Sequence, residues 1–238
     1  MRGGIAATTG AMLRCDLGRY HARSPPLCSA TLNRLLGADY KPGNAATESR
    51  LNNKTFLCIR HAESTFNAAW RDTEVDPLHF DAPLSAIGME QVAQARSTLV
   101  HLPVELVITS PLSRALQTTA GLFADHPSSP EMLVVPLSRE RVENSCDVGR
   151  SPAELATRFA AFDFGHLSDI WWHVDEAPDV RGVCVEPLEA VAARAAEFKT
   201  LLLSRPERFI AVVSHGTFLF YLTGRRFANC EAVELTLS

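Results

Sequence analysis

Short apolar segments alternate with longer amphipathic segments from Thr55 to the end of the chain. The apolar segments have the length and composition of buried strands, and they cover 55–61 (TFLCIRH), 104–110 (VELVITS), 132–136 (MLVVP) and 208–217 (RFIAVVSHGT). Helical patterns lie between them, at 85–101, 110–123, 151–162 and 186–204. Parallel strands require crossover connections that are usually helices. The alternation therefore predicts an α/β domain with a mostly parallel central sheet and helices on both faces.

Three helix starts carry capping residues. Ser85 and Ser110 are predicted N-caps, and Pro111 would occupy the first helical position, where its missing N–H costs nothing. Ser151 and Glu154 have the spacing of a capping box. These residues support the prediction that the segments between the strands are helices.

Composition excludes several classes of protein. The chain has 238 residues, of which 46% are hydrophobic and 21% charged, which suits one globular domain with a short extension. It has no apolar run near the roughly 20 residues that span a bilayer, so we expect no membrane partner. A net charge of −4 argues against a dedicated nucleic-acid binder. Its six cysteines include no C-x-x-C pair, which favours reduced thiols in an intracellular protein.

Residues 1–50 differ from the rest of the chain. They contain seven basic and three acidic residues, an Arg-rich and acid-poor composition that is typical of an organelle transit peptide. The alternative is a disordered or partly packed extension without a targeting role. Residues 51–238 would then form the functional domain, which is cytoplasmic, or organellar if the extension is a transit peptide.

Polar residues follow three of the predicted strands. Arg60 and His61 end the first, Arg114 lies just beyond the second, and His215 and Gly216 end the last. In open α/β sheets, ligands bind at the carboxyl ends of the strands, so these residues should share a pocket. Arginine suits bidentate contact with a phosphate, and a histidine among cations stays neutral and nucleophilic. The residues predict a phosphoryl-binding site with a histidine nucleophile.

The motifs around these residues resemble the histidine phosphatase superfamily, in its phosphoglycerate-mutase-like branch. The resemblance runs from about Thr55 to the C-terminus and is carried by the segments RHAESTFN (60–67), DAPLSAIGMEQ (81–91), SPLSRALQT (110–118) and SHGT (214–217). Each motif alone is weak, but their order and spacing are specific. The resemblance implies a three-layer phosphoglycerate-mutase-like fold.

The resemblance also implies roles for individual residues. His61 would be the nucleophile that is transiently phosphorylated. Charge neutralisation of the phosphoryl group would come from Arg60, Arg114 and His215, which is most of what phosphoryl transfer asks of a protein. Further substrate contacts would come from Asn67, Ser64 and Gly216.

The chain departs from the family pattern at the position of the proton donor. The family usually has an acidic residue after the third strand in an L-x-E context, whereas this chain has L-x-x-E with Glu140. Glu140 is the preferred donor, and Glu143 and Asp147 are its rivals. A donor at this place needs a raised pKa to hold its proton near neutrality.

Two features depart from the family pattern. Ala62 replaces the usual glycine after the histidine, which we expect to narrow the space beside the nucleophile without removing activity. The segment 163–185 matches no motif of the family. Its paired tryptophans, Trp171 and Trp172, either cover the pocket or pack in the core, and packing is the favoured interpretation.

The preferred function is a metal-independent phosphomonoester hydrolase that acts on a small phosphorylated substrate through a phosphohistidine, with no cofactor. One alternative is a phosphoglycerate-mutase-type phosphotransferase. Only 23 residues follow His215, which leaves little chain for a closing tail and favours the phosphatase. The other alternative is a catalytically silent phospho-ligand-binding protein, for which the discriminator is whether a carboxyl group reaches the pocket. Substrate identity and oligomeric state stay open.

Overall fold

A twisted sheet at the centre of the molecule organises the fold. The computed structural model describes residues 54–237, and the predicted extension over 1–50, with its boundary at 51, lies outside them. Within the described residues the sheet has five strands, β1 (Thr55–Arg60), β2 (Leu106–Thr109), β3 (Glu131–Val134), β4 (Phe209–Ser214) and β5 (Ala232–Leu235). Their order is β3-β2-β4-β1-β5, and only β5 is antiparallel to its neighbour. The predicted mostly parallel sheet is confirmed.

Helices cover both faces of the sheet. They are α1 (Thr65–Thr73), α2 (Ala86–Leu99), α3 (Ser113–Phe123), α4 (Pro152–Arg158), α5 (Leu188–Ser204) and α6 (Gly216–Thr223). Successive side chains of a strand point to opposite faces, so Phe56 and Cys58 pack with α5 and α6, whereas Leu57 and Ile59 pack with α2 and α3. This gives the predicted three layers. None of the helices in the described part of the chain is long and apolar enough to cross a membrane.

Two of the three predicted helix starts are confirmed. Ser85 is the N-cap of α2, and its hydroxyl accepts a hydrogen bond from the Gly88 N–H at 3.0 Å. Ser151 and Glu154 form the predicted capping box of α4. Helix α4 is shorter than predicted and ends at Arg158 rather than at residue 162.

The predicted start of α3 is wrong. The helix begins at Ser113, after Leu112, and not at Ser110 and Pro111. The Ser110 hydroxyl instead accepts a bond from the Leu112 N–H at 3.3 Å and bonds His215 at 2.7 Å. The carboxylate of Asp81, from a distant part of the chain, accepts bonds from the Ser113 N–H and hydroxyl at 2.7 and 2.5 Å. A tertiary contact therefore caps this helix in place of a local residue.

The tryptophans of the 163–185 segment belong to the packing of the domain. Trp171 is buried, and its indole N–H donates to the Arg150 carbonyl at 2.8 Å. Trp172 packs against it edge to face, with 5.4 Å between the ring centroids. Trp171 belongs to a buried cluster with Leu112 and Leu116. These contacts support the packing interpretation over a pocket cover.

Candidate active site

A small open cleft lies where β1 ends. Since β1, β4 and β2 are neighbours and run parallel, the residues that follow them meet at one edge of the sheet. The cleft volume is about 110 Å³, well below the roughly 300 Å³ and more of pockets for drug-sized ligands, so it suits a small group. Its lining comprises Arg60, His61, Ser64, Phe66, Asn67, Arg114, Glu140, Arg141, Glu143, Asn144, Cys146, Asp147 and Thr217.

The hydrogen bonds of His61 assign the two nitrogens of its ring. Nδ1 lies 2.7 Å from the Ala62 carbonyl oxygen, which can only accept, so Nδ1 carries the proton. Nε2 accepts a bond from the Arg114 Nε–H at 3.2 Å. The unprotonated Nε2 therefore bears the lone pair that a nucleophile needs.

The surroundings of His61 keep it neutral. Its side chain is buried, and burial followed by the charges of Arg114 and Arg60 holds the pKa well below 6.5. The opposing contribution of the Ala62 carbonyl is smaller. A neutral imidazole beside two guanidinium groups is available for attack at neutral pH.

The Arg60 guanidinium makes one hydrogen bond to the backbone, and its Nε is buried without a partner among the described residues. The bond runs from Nη1 to the Phe227 carbonyl at 2.8 Å. Gly216 lies against the guanidinium, since a Cβ there would come within 3.4 Å of the Arg60 Cζ and Nε. Gly216 thus packs beside Arg60 and does not itself line the cleft.

Arg114 is buried, and each of its three side-chain nitrogens donates a hydrogen bond. Besides the bond to His61, its Nη1 donates to the Cys146 carbonyl at 2.6 Å and its Nη2 to Asp147 at 2.7 Å. Burial opposes the charge, but the neighbouring Cys146 and Asp147 outweigh it and raise the pKa of the guanidinium. Arg114 is a permanent cation beside the Nε2 of His61.

His215 packs against the ring of His61 and is not among the residues that line the cleft. Its ring is fully buried, with 5.0 Å between its centroid and that of His61. Nε2 bonds the Ser110 hydroxyl at 2.7 Å, and the buried Nδ1 has no partner among the described residues. Burial, then the charges of Arg114 and His61, hold the pKa of His215 well below 6.5.

Of the three carboxyl groups considered as proton donor, Glu140 has the most suitable environment. It lines the cleft and accepts bonds from the Thr217 and Phe218 N–H groups, both at 3.0 Å, and from the Arg141 N–H at 2.9 Å. Burial and the nearby Asp147 carboxylate nevertheless raise its pKa, against these hydrogen bonds. A raised pKa is what a general acid requires near neutrality.

The two alternative donors, Glu143 and Asp147, each form an ion pair with an arginine. Glu143 is exposed and pairs with Arg141, with 2.7 Å between Oε1 and Nη1. Asp147 is buried and paired with Arg114. Both side chains line the cleft, but neither accepts hydrogen bonds from the first residues of α6 as Glu140 does.

Ser64 and Asn67 are tied to each other by the capping box of α1. The Ser64 hydroxyl accepts from the Asn67 N–H at 3.1 Å, and the Asn67 Oδ1 accepts from the Ser64 N–H at 3.1 Å. Asn229, which sequence reasoning missed, donates to the same Oδ1 at 3.3 Å and to the His61 carbonyl at 3.1 Å. These bonds occupy the Asn67 Oδ1 as an acceptor and leave the NH₂ group as the available donor to a ligand.

The segment 81–91 contacts Glu63, two residues after His61. Ser85 Oγ donates to Glu63 Oε1 at 2.7 Å, and Gln91 Oε1 accepts from the Glu63 N–H at 2.8 Å. Gly88 has no side chain because a Cβ there would lie 2.0 Å from the Glu63 carbonyl oxygen. The motif thus packs α2 against the residues that follow His61.

Ala62 does not narrow the cleft as expected. It is fully buried with the apolar residues between the sheet and α3, and it is absent from the cleft lining. Its N–H donates to the Thr118 hydroxyl at 3.1 Å.

Among residues 54–237, no group of three or more His, Cys, Asp or Glu side chains could hold a metal ion.

Comparison with known proteins identifies the family. The family model of the histidine phosphatase superfamily (branch 1) matches residues 56–232. The chain belongs to this superfamily. The match spans every strand and helix of the described structure except Thr55 at the start of β1 and the last three residues of β5.

Relatives and solved structures agree with this assignment. A phosphoglycerate mutase-like protein of Arabidopsis thaliana is 32% identical over 214 residues, which cover 74% of this chain and 76% of the relative. A Schizosaccharomyces pombe protein named as a probable phosphatase is 25% identical over 170 residues, 68% of this chain and 74% of the relative. The α-ribazole phosphatase of Shigella flexneri has the same fold, with a TM-score of 0.52, 20% identity, and coverage of 76% of this chain and 89% of that chain.

Proposed function

We propose that the protein is a metal-independent phosphomonoester hydrolase that acts through a phosphohistidine at His61. One observation carries the proposal: the unprotonated Nε2 of a neutral histidine meets the guanidinium of Arg114 in a cleft that Glu140 also lines. A nucleophile, a cationic phosphate site and a carboxyl group with a raised pKa are the parts that this chemistry needs.

The reaction has two halves. In the first, the His61 Nε2 attacks phosphorus, the bond from phosphorus to the ester oxygen breaks, and the proton of Glu140 passes to the departing alcohol. In the second, water attacks the phosphohistidine, its proton passes to the Glu140 carboxylate, and the P–N bond breaks. Inorganic phosphate leaves, with His61 neutral and Glu140 protonated again.

Two buried nitrogens without a partner among the described residues support an anion in the cleft region. They are the Nε of Arg60 and the Nδ1 of His215, and an unpaired buried polar group costs free energy. A phosphoryl group bound next to His61 would give both a partner. In this proposal Arg60, Arg114 and His215 bind phosphate, and Asn67 donates from its NH₂ group.

The carboxyl group in the cleft favours an enzyme over a silent phosphate binder. A phosphotransferase of the mutase type remains the second candidate, since relatives at 30% identity and above are named phosphoglycerate mutase-like. Both candidates share the first half of the reaction. They differ in whether water or a substrate hydroxyl accepts the phosphoryl group from His61.

The test is turnover of p-nitrophenyl phosphate and a panel of small phosphomonoesters, with EDTA present. We expect phosphate release by the wild type and a loss of about 10³-fold or more in His61→Ala, as expected on removal of a nucleophile. His166→Ala is the matched control, because His166 is half-buried and bonds the Val134 carbonyl outside the cleft.

Each outcome decides between the candidates. EDTA-resistant turnover that His61→Ala loses and His166→Ala keeps supports the phosphatase. Acid-labile phosphate on His61 without phosphate release, discharged by an added phosphoglycerate, supports the mutase. A folded wild type that is neither phosphorylated nor active would overturn both.

A further inference from the structure

We propose that Asp147 is a positioning residue, whose buried carboxylate fixes the Arg114 guanidinium beside His61 and acts on the reaction only through that arginine. The inference rests on the proposed function, since it assigns a task within the same cleft. It also removes Asp147 from the group of possible proton donors.

The Asp147–Arg114 pair is closely held. Asp147 Oδ1 lies 2.7 Å from Arg114 Nη2, and the two side chains are 5% and 3% exposed. The Cys146 carbonyl accepts from Nη1 at 2.6 Å, and the Nε–H points at the His61 Nε2 at 3.2 Å. Bonds to three different nitrogens leave the planar guanidinium with a single orientation.

The second oxygen of Asp147 is occupied as well. Its Oδ2 accepts from the Asn144 N–H at 3.0 Å and from the Glu143 N–H at 3.3 Å. Both oxygens are therefore engaged as hydrogen-bond acceptors, one by Arg114 and the other by the backbone. Asp147 is thus held between Arg114 and the backbone of its own turn, and its link to His61 runs through the arginine.

The turn that carries Asp147 is anchored from its other side. Asp76 accepts bonds from the Ser145 N–H at 2.8 Å and from the Ser145 hydroxyl at 2.5 Å. Arg181 pairs with Asp76 at 3.0 Å and donates to the Asn144 Oδ1 at 3.0 Å. The segment 144–147 is thus fixed before any ligand binds, which is what a positioning element requires.

The test measures the single-turnover rate of phosphoryl transfer in Asp147→Asn and Asp147→Glu, with p-nitrophenyl phosphate and with an alkyl phosphate. We expect a loss of about 10- to 100-fold, as expected for a misplaced reacting group, and by the same factor for both substrates. The dissociation constant of inorganic phosphate, measured by calorimetry, should rise in both variants.

Glu207→Gln is the matched control. Glu207 pairs with the largely buried Arg205, with 2.9 Å between Arg205 Nε and Oε2, just before β4 and at the opposite end of that strand from His215. Its loss removes a similar ion pair without touching the cleft. The rate and the phosphate affinity should stay at wild-type values.

The outcomes separate this inference from the proposed function. A loss confined to the alkyl phosphate would make Asp147 the proton donor, and unchanged rates and affinity would remove any role; either result overturns the inference. If Asp147→Asn does not fold, Asp147→Glu keeps the charge and still displaces the guanidinium. If the wild type binds phosphate but has no turnover, the proposed function fails, and the phosphate affinities alone decide for or against Asp147.

Discussion

The Ala62 carbonyl oxygen decides which nitrogen of His61 can react. Because it lies 2.7 Å from Nδ1, the ring proton is placed there and the lone pair is left on Nε2. The pattern of Arg60, His61, Arg114 and His215 in the sequence was sufficient to predict that these side chains lie together. It could not predict the tautomer, because that depends on a backbone oxygen whose direction is set only in the fold.

Glu140 was preferred from its place after the third strand, and its surroundings in the fold supply a physical cause for a raised pKa. The Thr217 and Phe218 N–H groups hold the carboxyl at the start of α6, while burial and the Asp147 carboxylate raise its pKa. The sequence could not reveal that Asp147 pairs with Arg114, because that contact forms only in the fold.

Replacement of Glu140 by Gln tests the donor role. With an alkyl phosphate, the first half of the reaction should slow by about 10²- to 10⁴-fold, the usual contribution of general acid catalysis. With p-nitrophenyl phosphate the first burst of p-nitrophenolate should persist, because this group leaves without a proton, and turnover should stop at the phosphohistidine.

The pH dependence of the reaction rate is a second test of the donor role of Glu140. Donation requires protonated Glu140, so the alkyl phosphate rate should fall as pH rises through its raised pKa. Glu140→Gln should lose this alkaline limb. Stopped-flow measurements of the burst, with Glu143→Gln as the control, check the prediction; equal losses with both substrates would assign Glu140 to another role.

At the scale of elements, packing on helix α2 links the fold to the nucleophile. The Gly88 backbone lies so close to the Glu63 carbonyl that a Cβ would come within 2.0 Å of its oxygen. The contact is with backbone, which cannot rotate away as a side chain can. Gly88→Ala therefore has to displace α2 or the residues that follow His61.

We expect Gly88→Ala to lower the free energy of unfolding by about 1–3 kcal/mol, the usual cost of overpacking. The rate of phosphoryl transfer should fall with it, because Glu63 lies two residues after His61. Urea denaturation and the p-nitrophenyl phosphate assay measure the two effects. Gln94→Ala, on the exposed side of the same helix, is the control and should change neither. A Gly88→Ala protein of wild-type stability would show that the contact relaxes freely.

The elements that sequence reasoning missed are short and lack a distinctive pattern. Helices α1 and α6 have nine and eight residues, and β5 has four residues that are half-buried or exposed. Longer helices and buried strands were predicted because burial imposes their periodicity. The start of α3 was mispredicted for another reason, since its cap is Asp81, which no local pattern reveals.

For the molecule as a whole, the site and the stability of the fold are coupled through two buried histidines. His61 and His215 have pKa values well below 6.5, mainly because burial disfavours their charged forms. The unfolded chain takes up a proton at each near pH 6.5, whereas the folded protein does not. The unfolded state thus binds more protons below that pH, and stability should fall as pH decreases.

Each histidine should contribute a slope of about 1.4 kcal/mol per pH unit below pH 6.5, continuing until its folded pKa is reached. Glu140 contributes with the opposite sign, because its raised pKa makes protonation favour the folded state, so the total slope alone does not isolate the histidines. The comparison of wild type with His215→Asn does, since that variant should lose the slope of one histidine. Urea denaturation from pH 7 to pH 5 measures the difference, with His166→Asn, which lies outside the cleft, as the control. Identical slopes in wild type and His215→Asn would contradict the prediction, because they would mean that the folded protein protonates His215 as readily as the unfolded chain does.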